Sequence, residues 1–139
     1  MAEINFNQVY DGVTLTLHRA FPKARIHGGS VEQGLKDGDF NVLPLSANHT
    51  AEIGSRASRR PLFDVIYYPS RAGGRAECLQ IADKLPQILS TITTPSGDVL
   101  HCTTFDITIE EDALHATVGY PHFVYTPQEQ ESMNHLYID

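Results

Sequence analysis

The stretch Leu62-Phe63-Asp64-Val65-Ile66-Tyr67 constrains the fold more than any other part of the chain. Read as a strand, it places Phe63, Val65 and Tyr67 on one face and Leu62 and Ile66 on the other. Apolar groups on both faces mean a strand that is covered on both sides, in the interior of a sheet. This strand, expected over Arg59 to Tyr68, therefore needs a neighbour along each edge. Asp64 interrupts one face and requires a partner if it is buried.

Two amphipathic helices supply a covering layer. Phe6, Val9, Tyr10, Val13, Leu17 and Phe21 draw one apolar stripe at helical spacing, and Phe21-Pro22 ends it. A turn over Pro69 to Gly74 leads to a second helix with the stripe Cys78, Leu79, Ala82, Leu85, Ile88 and Leu89. Pro86 lies inside that stripe and lacks a backbone donor, which predicts a kink or an early end near Leu85. Between the helices, Ala24 to His27 reads as a strand stopped by Gly28-Gly29, and Val31 to Gly34 as a turn. Phe40, Val42 and Leu43 mark a second strand, with Pro44 favouring an edge or a bulge near its end. The polar, glycine-containing stretch Asn48 to Ser58 reads as a long exposed loop.

The last third alternates with period two. Phe105, Ile107 and Ile109 lead into the acidic turn Glu110-Glu111-Asp112, and Leu114, Ala116, Val118 and Tyr120 follow it. This is a hairpin with one buried face, which Phe123 to Tyr125 extends past Pro121. The order α, β, β, β, α, β, β predicts an α+β fold: an about five-stranded mixed or antiparallel sheet with two amphipathic helices packed on one face. A single domain is expected over residues 1–125. Residues 126–139 read as a C-terminal tail, polar until Leu136-Tyr137-Ile138.

Composition narrows the function. A chain of 139 residues holds one domain able to build a core without staples. The sequence opens without the features of a signal peptide, and no apolar run approaches the roughly 18 residues of a membrane span, so a soluble protein made in a cytosol and no membrane partner are expected. The formal charge of −7 argues against a nucleic-acid reader that works by neutralising phosphates. Five of the ten Lys and Arg residues nevertheless fall between Arg56 and Arg75, while Glu129 to Asp139 holds three acids and no base. One part of the surface is thus suited to attract another part of an identical neighbour.

No chemistry-bearing constellation emerges. Cys78 and Cys102 lack metal or redox spacing and read as buried thiols. His18, His27, His49, His101, His115, His122 and His135 form no HxH, HxxxH or HExxH pattern. Gly28-Gly29 and Gly73-Gly74 belong to no phosphate-binding motif, and Ser55, Ser58 and Ser90 lack a nucleophile elbow. No catalytic residue, metal or cofactor is expected.

One segment carries a resemblance. It reads Leu17-x-x-x-Phe21-Pro22, Arg25-Ile26-His27, Val31-Glu32-Gln33-Gly34, Asp39-Phe40, Arg59-Arg60 and Phe63-Asp64-Val65-x-Tyr67-Tyr68-Pro69. In this order it resembles the phage tail terminator family of contractile-tailed phages and defective prophages of Gram-positive bacteria. The resemblance implies a structural, non-enzymatic virion protein at the head–tail junction, assembled in the host cytoplasm. Such a protein forms a homohexameric ring that caps the head-proximal end of the tail tube, stops polymerisation and offers a surface to the head connector. In contractile tails it also meets the sheath, and DNA passes through the ring without specific binding. On this reading Arg56, Arg59 and Arg60 contact an acidic neighbour, and Leu136, Tyr137 and Ile138 dock on a neighbour or partner. Glu110, Glu111 and Asp112 face the lumen, where they repel passing DNA. The competing readings are a head completion or head–tail joining protein of the same particle and, from another class, a small α+β enzyme.

Overall fold

The computed structural model describes residues 4–28, 38–70, 74–110 and 113–125. Helix α1 (Phe6–Ala20) starts at Asn5, whose side-chain carbonyl accepts the Gln8 amide at 2.8 Å and so satisfies one of the free donors of the first turn. It stops where predicted, at Phe21 before Pro22. Along the chain follow β1 (Ile26–Gly28), β2 (Phe40–Ala51), β3 (Arg56–Tyr67), α2 (Gly74–Leu89), β4 (Thr91–Thr93), β5 (Val99–His101), β6 (Thr104–Glu110), β7 (Ala113–Gly119) and β8 (His122–Tyr125).

β3 takes the central place expected of it. One edge pairs antiparallel with β2 from end to end, from Phe40↔Tyr67 to Ala51↔Ala57. The other edge is shared: β7 pairs with Leu62 to Tyr67, and β8 with Arg56 to Arg59. β6 lies outside β7 and is antiparallel to it, and β1 lies outside β2 and is parallel to it, which makes a mixed six-stranded sheet among the described residues.

The registers put Phe40, Val42, Phe63, Val65, Tyr67, Leu114, Ala116 and Val118 on one face. Val9, Val13 and Leu17 of α1 and Cys78, Ile81, Leu85 and Leu89 of α2 join them in one buried core. The fold is therefore α+β with both helices packed against the sheet, as the sequence predicts. Each large aliphatic side chain moved from water into this layer contributes about 1.5–3 kcal/mol. At the start of α2, Glu77 accepts from the Tyr67 hydroxyl at 2.6 Å, the Ser70 amide at 2.9 Å and the Ser70 hydroxyl at 2.7 Å. These bonds, that from Tyr67 foremost, hold its carboxyl below the ordinary range and tie the helix to the end of β3.

The structure corrects the sequence reading in four places. Residues 48–58 are not a loop: β2 and β3 continue through them as a ladder, closed by a turn over residues 52–55 with Gly54 at φ 81°. Every β2 residue from Pro44 to Ala51 is exposed, so this half of the hairpin projects as an arm whose β2 strand carries no buried face, while Ala57 of its β3 strand is buried beside Val124 of β8. Helix α2 does not end at Leu85 but runs through Pro86 to Leu89. Pro86 is exposed and in the last turn, where the helix loses one hydrogen bond and its end is held by other contacts. The α2 stripe uses Ile81 rather than Leu79, which is exposed. Finally, β4 and β5 form an additional short hairpin that buries Ile92 and Leu100, with Gly97 at φ 93° in its turn. Gly12 lets α1 rest on it, because a Cβ there would lie 3.2 Å from both the Ile92 side chain and the Thr93 carbonyl.

Three prolines mark the joint between body and arm. β2 is irregular between Pro44 and Ser46, the bulge that Pro44 foretold. Pro61 sits beside it in β3, and Pro121 separates β7 from β8 on the far edge. At this joint Tyr120 turns into the core, and its hydroxyl donates to the Leu89 carbonyl at 2.6 Å. One buried bond thus fastens the C-terminal end of α2 to the strand break. Tyr120→Phe should cost about 1–3 kcal/mol by leaving that carbonyl without its partner. Urea unfolding checks it: a lower midpoint at unchanged slope is expected, and an unchanged midpoint contradicts the assignment.

Candidate functional site

Alternation along β3 separates the three arginines read from the sequence. Arg59 shares the helix-bearing face with Ala57 and Phe63, whereas Arg56 and Arg60 project from the opposite face. They do not form one basic surface. The Arg59 Nε donates to His49 Nδ1 at 3.0 Å, and its guanidinium lies 4.5 Å from the centre of the Phe6 ring. Arg56 donates to Glu52 Oε1 at 2.7 Å across the arm turn and covers the Phe123 ring at 4.6 Å. That ion pair is solvent-exposed and contributes at most about 1 kcal/mol. Arg60 makes no ion pair among the described residues. It borders a depression of about 430 Å³ together with Asn48, Leu62, Thr104 and Gly119.

Apolar groups on the arm and on β8 were missed by the sequence reading. Ile53 at the arm turn is 99% exposed, and Leu45, Phe123 and Tyr125 are each about half exposed. Their signal was present as the alternation of Phe123 and Tyr125 with buried His122 and Val124. On the helix-bearing side, the root of the arm and the first turns of α1 enclose an apolar groove of about 400 Å³, lined by Phe6, Tyr10, Pro44, Ala47, Pro61 and Phe63. Strand edges are open as well. β1 covers only Phe40 to Val42 of β2, so the outer edge beyond Val42 has no strand partner among the described residues. The outer edge of β6 is open in the same sense.

Glu110 is exposed at the end of β6, opposite Ala113. It lies near the Tyr67 end of β3, whereas the arm turn follows the Arg56 end. The two are therefore separated by the length of β3, about 40 Å for 12 residues at roughly 3.3 Å each. Glu111, Asp112, Leu136, Tyr137 and Ile138 lie outside the described residues, as does the Val31 to Gly34 turn.

The face away from the helices carries two histidine–carboxylate pairs. His27 Nε2 and Asp39 Oδ2 are 3.0 Å apart, and His115 Nδ1 and Asp64 Oδ2 are also 3.0 Å apart. The second gives Asp64 the partner its position demanded. Among the described residues no three His, Cys, Asp or Glu side chains converge as metal ligands would.

His122 anchors β8 against the first half of β3, opposite Arg59. Its Nδ1 donates to the Tyr120 carbonyl at 3.0 Å, which leaves Nε2 unprotonated, buried and without a partner among the described residues. Burial, opposed by that hydrogen bond and reinforced by the Arg59 charge, lowers its pKa below 6.5. A lowered pKa means that the unfolded chain binds the proton more readily. The stabilisation is complete above about pH 6.5 and is lost as pH falls from there towards the folded value. Between pH 7.5 and 5.5 the urea midpoint should fall less in His122→Gln than in the parent. Equal falls in both would contradict this role.

Among curated proteins none matches this sequence. Against protein families, residues 8–132 match the model described as phage tail terminator protein. The match spans α1, the whole sheet and the arm, and it reaches beyond Tyr125. It covers most of the 139 residues, and the chain belongs to the phage tail terminator family.

Proposed function

We propose that this chain forms a homohexameric ring that caps the head-proximal end of the tail tube, halts its polymerisation and presents a joining surface to the head connector. In a contractile tail the same ring meets the last sheath ring. Family membership establishes a structural component of the phage tail. The observation that carries the finer reading is the β2–β3 arm. Its β2 strand is exposed from Pro44 to Ala51, its turn carries a bare Ile53, and one edge is open for strand addition among the described residues.

The physical problem supports a polar subunit of this kind. A growing tube end is a heterologous interface that never closes on itself, and a cap must match it on one side only. Ring closure likewise joins two different surfaces of adjacent copies. The arm, with Arg60 free to pair, and the sheet end at Glu110 lie at opposite ends of β3, so each copy offers two dissimilar surfaces. Residues 1–125 form the ring body, and residues 126–139 serve as a docking tail. Glu110, Glu111 and Asp112 face the lumen and keep passing DNA from adhering. The role is structural rather than catalytic, and no helix among the described residues is long and apolar enough to cross a membrane.

Light scattering of the purified protein, alone and with polymerising tube subunits, tests the cap. A hexamer, or a monomer that assembles on tube ends and stops their growth, is expected. A protein that leaves tube growth untouched but binds the connector would make it a joining protein instead. For the lumen, Glu110→Lys combined with Glu111→Lys and Asp112→Lys should slow DNA ejection from assembled particles. Ejection at the parent rate would remove those acids from the lumen.

A further inference from the structure

The groove at the root of the arm is apolar, open to solvent and sized like a small-ligand site, about 300–1,000 Å³ in general and about 400 Å³ here. Tyr10 and Phe63 form its floor, with ring centres 5.9 Å apart, and Ala47 and Pro61 form the arm wall. Its rim is basic, because the Arg59 guanidinium is stacked on Phe6. We infer that this groove receives the Leu136-Tyr137-Ile138 segment of a neighbouring copy, an exchange of tails that holds adjacent subunits together. The inference rests on the ring reading above.

Three observations select that occupant. The first is chemistry. Leu136, Tyr137 and Ile138 are three consecutive apolar or aromatic residues in a stretch whose charged groups, Glu129, Glu131 and Asp139, are all acidic. An apolar floor beside a guanidinium is complementary to that sequence.

The second is direction. β8 runs antiparallel to β3, from His122 opposite Arg59 to Tyr125 opposite Arg56. The chain therefore leaves Tyr125 heading towards the arm turn, away from Pro61 and Phe63 in the groove. Docking in its own groove requires the tail to reverse, whereas docking in a neighbour's continues its course.

The third is reach. Residues 126–139 add 14 residues beyond Tyr125. The 11 steps from Tyr125 to Leu136 span up to about 37 Å when extended, about the length of β3.

Cysteine cross-linking of full-length chains tests the exchange. Both partners carry Cys102→Ser, one adds Ala47→Cys at the groove wall and the other His135→Cys beside Leu136. Ala47 is exposed, so the substitution spares the core. Mixed under mild oxidation, the two chains should form a disulfide-linked dimer that neither forms alone. Leu136→Asp with Ile138→Asp should abolish that link and raise the concentration needed for subunit association at least tenfold. A chain carrying both cysteines that links within itself overturns the exchange. So does a hexamer with no cross-link, in which case the ring reading survives. A protein that stays monomeric and unlinked even when mixed with polymerising tube subunits overturns both.

Discussion

The structure depends on β3 being hydrogen-bonded along both edges. One edge is filled by a single strand, the other by two strands in succession, and the change of partner falls at Pro61, opposite Tyr120 and Pro121. A proline cannot donate to the ladder, so Pro44 in β2, Pro61 in β3 and Pro121 between β7 and β8 weaken the sheet across this joint without severing it. On one side of that line the helices cover the sheet and the core is closed. On the other side the same strand continues as an arm with solvent on most of its surface. Tyr120 fixes the line in place, since its ring is buried and its hydroxyl is bonded to the end of α2. A rigid body with a projecting ribbon follows directly from this arrangement.

That division also sorts the charges. Within the body, Asp64 is paired with His115, Asp39 with His27, and Glu77 of α2 with Tyr67 and Ser70. On the arm, Arg56 and Arg59 are each held by one polar group and one aromatic ring, which stiffens the ribbon more than it charges it. Arg60 makes no ion pair among the described residues. A cap that must recognise one tube end benefits from a stiff ribbon, because ordering a loose loop on contact would cost conformational entropy.

What was legible in the sequence follows from which elements bury one face. Helix α1 and the β6–β7 hairpin repeat their apolar residues at periods of 3.6 and two, and the central strand stood out by being apolar on both faces. The arm was illegible for the converse reason. From Ser46 to Ala51 neither face is covered, so no apolar alternation exists, and the stretch reads as loop although Gly54 marked a tight turn. Mistaking it for a loop also hid the parity that places Arg56 on the face opposite Arg59. The β4–β5 hairpin offers one buried residue per strand, too little for a period, although Thr94-Pro95-Ser96-Gly97 is a strong turn signal. The persistence of α2 through Pro86 depends on tertiary contacts that no local pattern contains. The groove is invisible in sequence because its walls come from residues some 40 to 60 positions apart. The family resemblance was legible from Leu17 to Pro69, while the family match extends over residues 8–132.

We propose the arm as the element through which this subunit engages its neighbours and the tube. Amide hydrogen exchange, compared between the free protein and the protein assembled on tube ends, addresses it most directly. The account predicts that amides of residues 45–60 gain protection on assembly, together with those of the open β2 edge, while the α2 core changes little. Protection gained elsewhere, with the arm exchanging as it does in the free protein, would contradict the account.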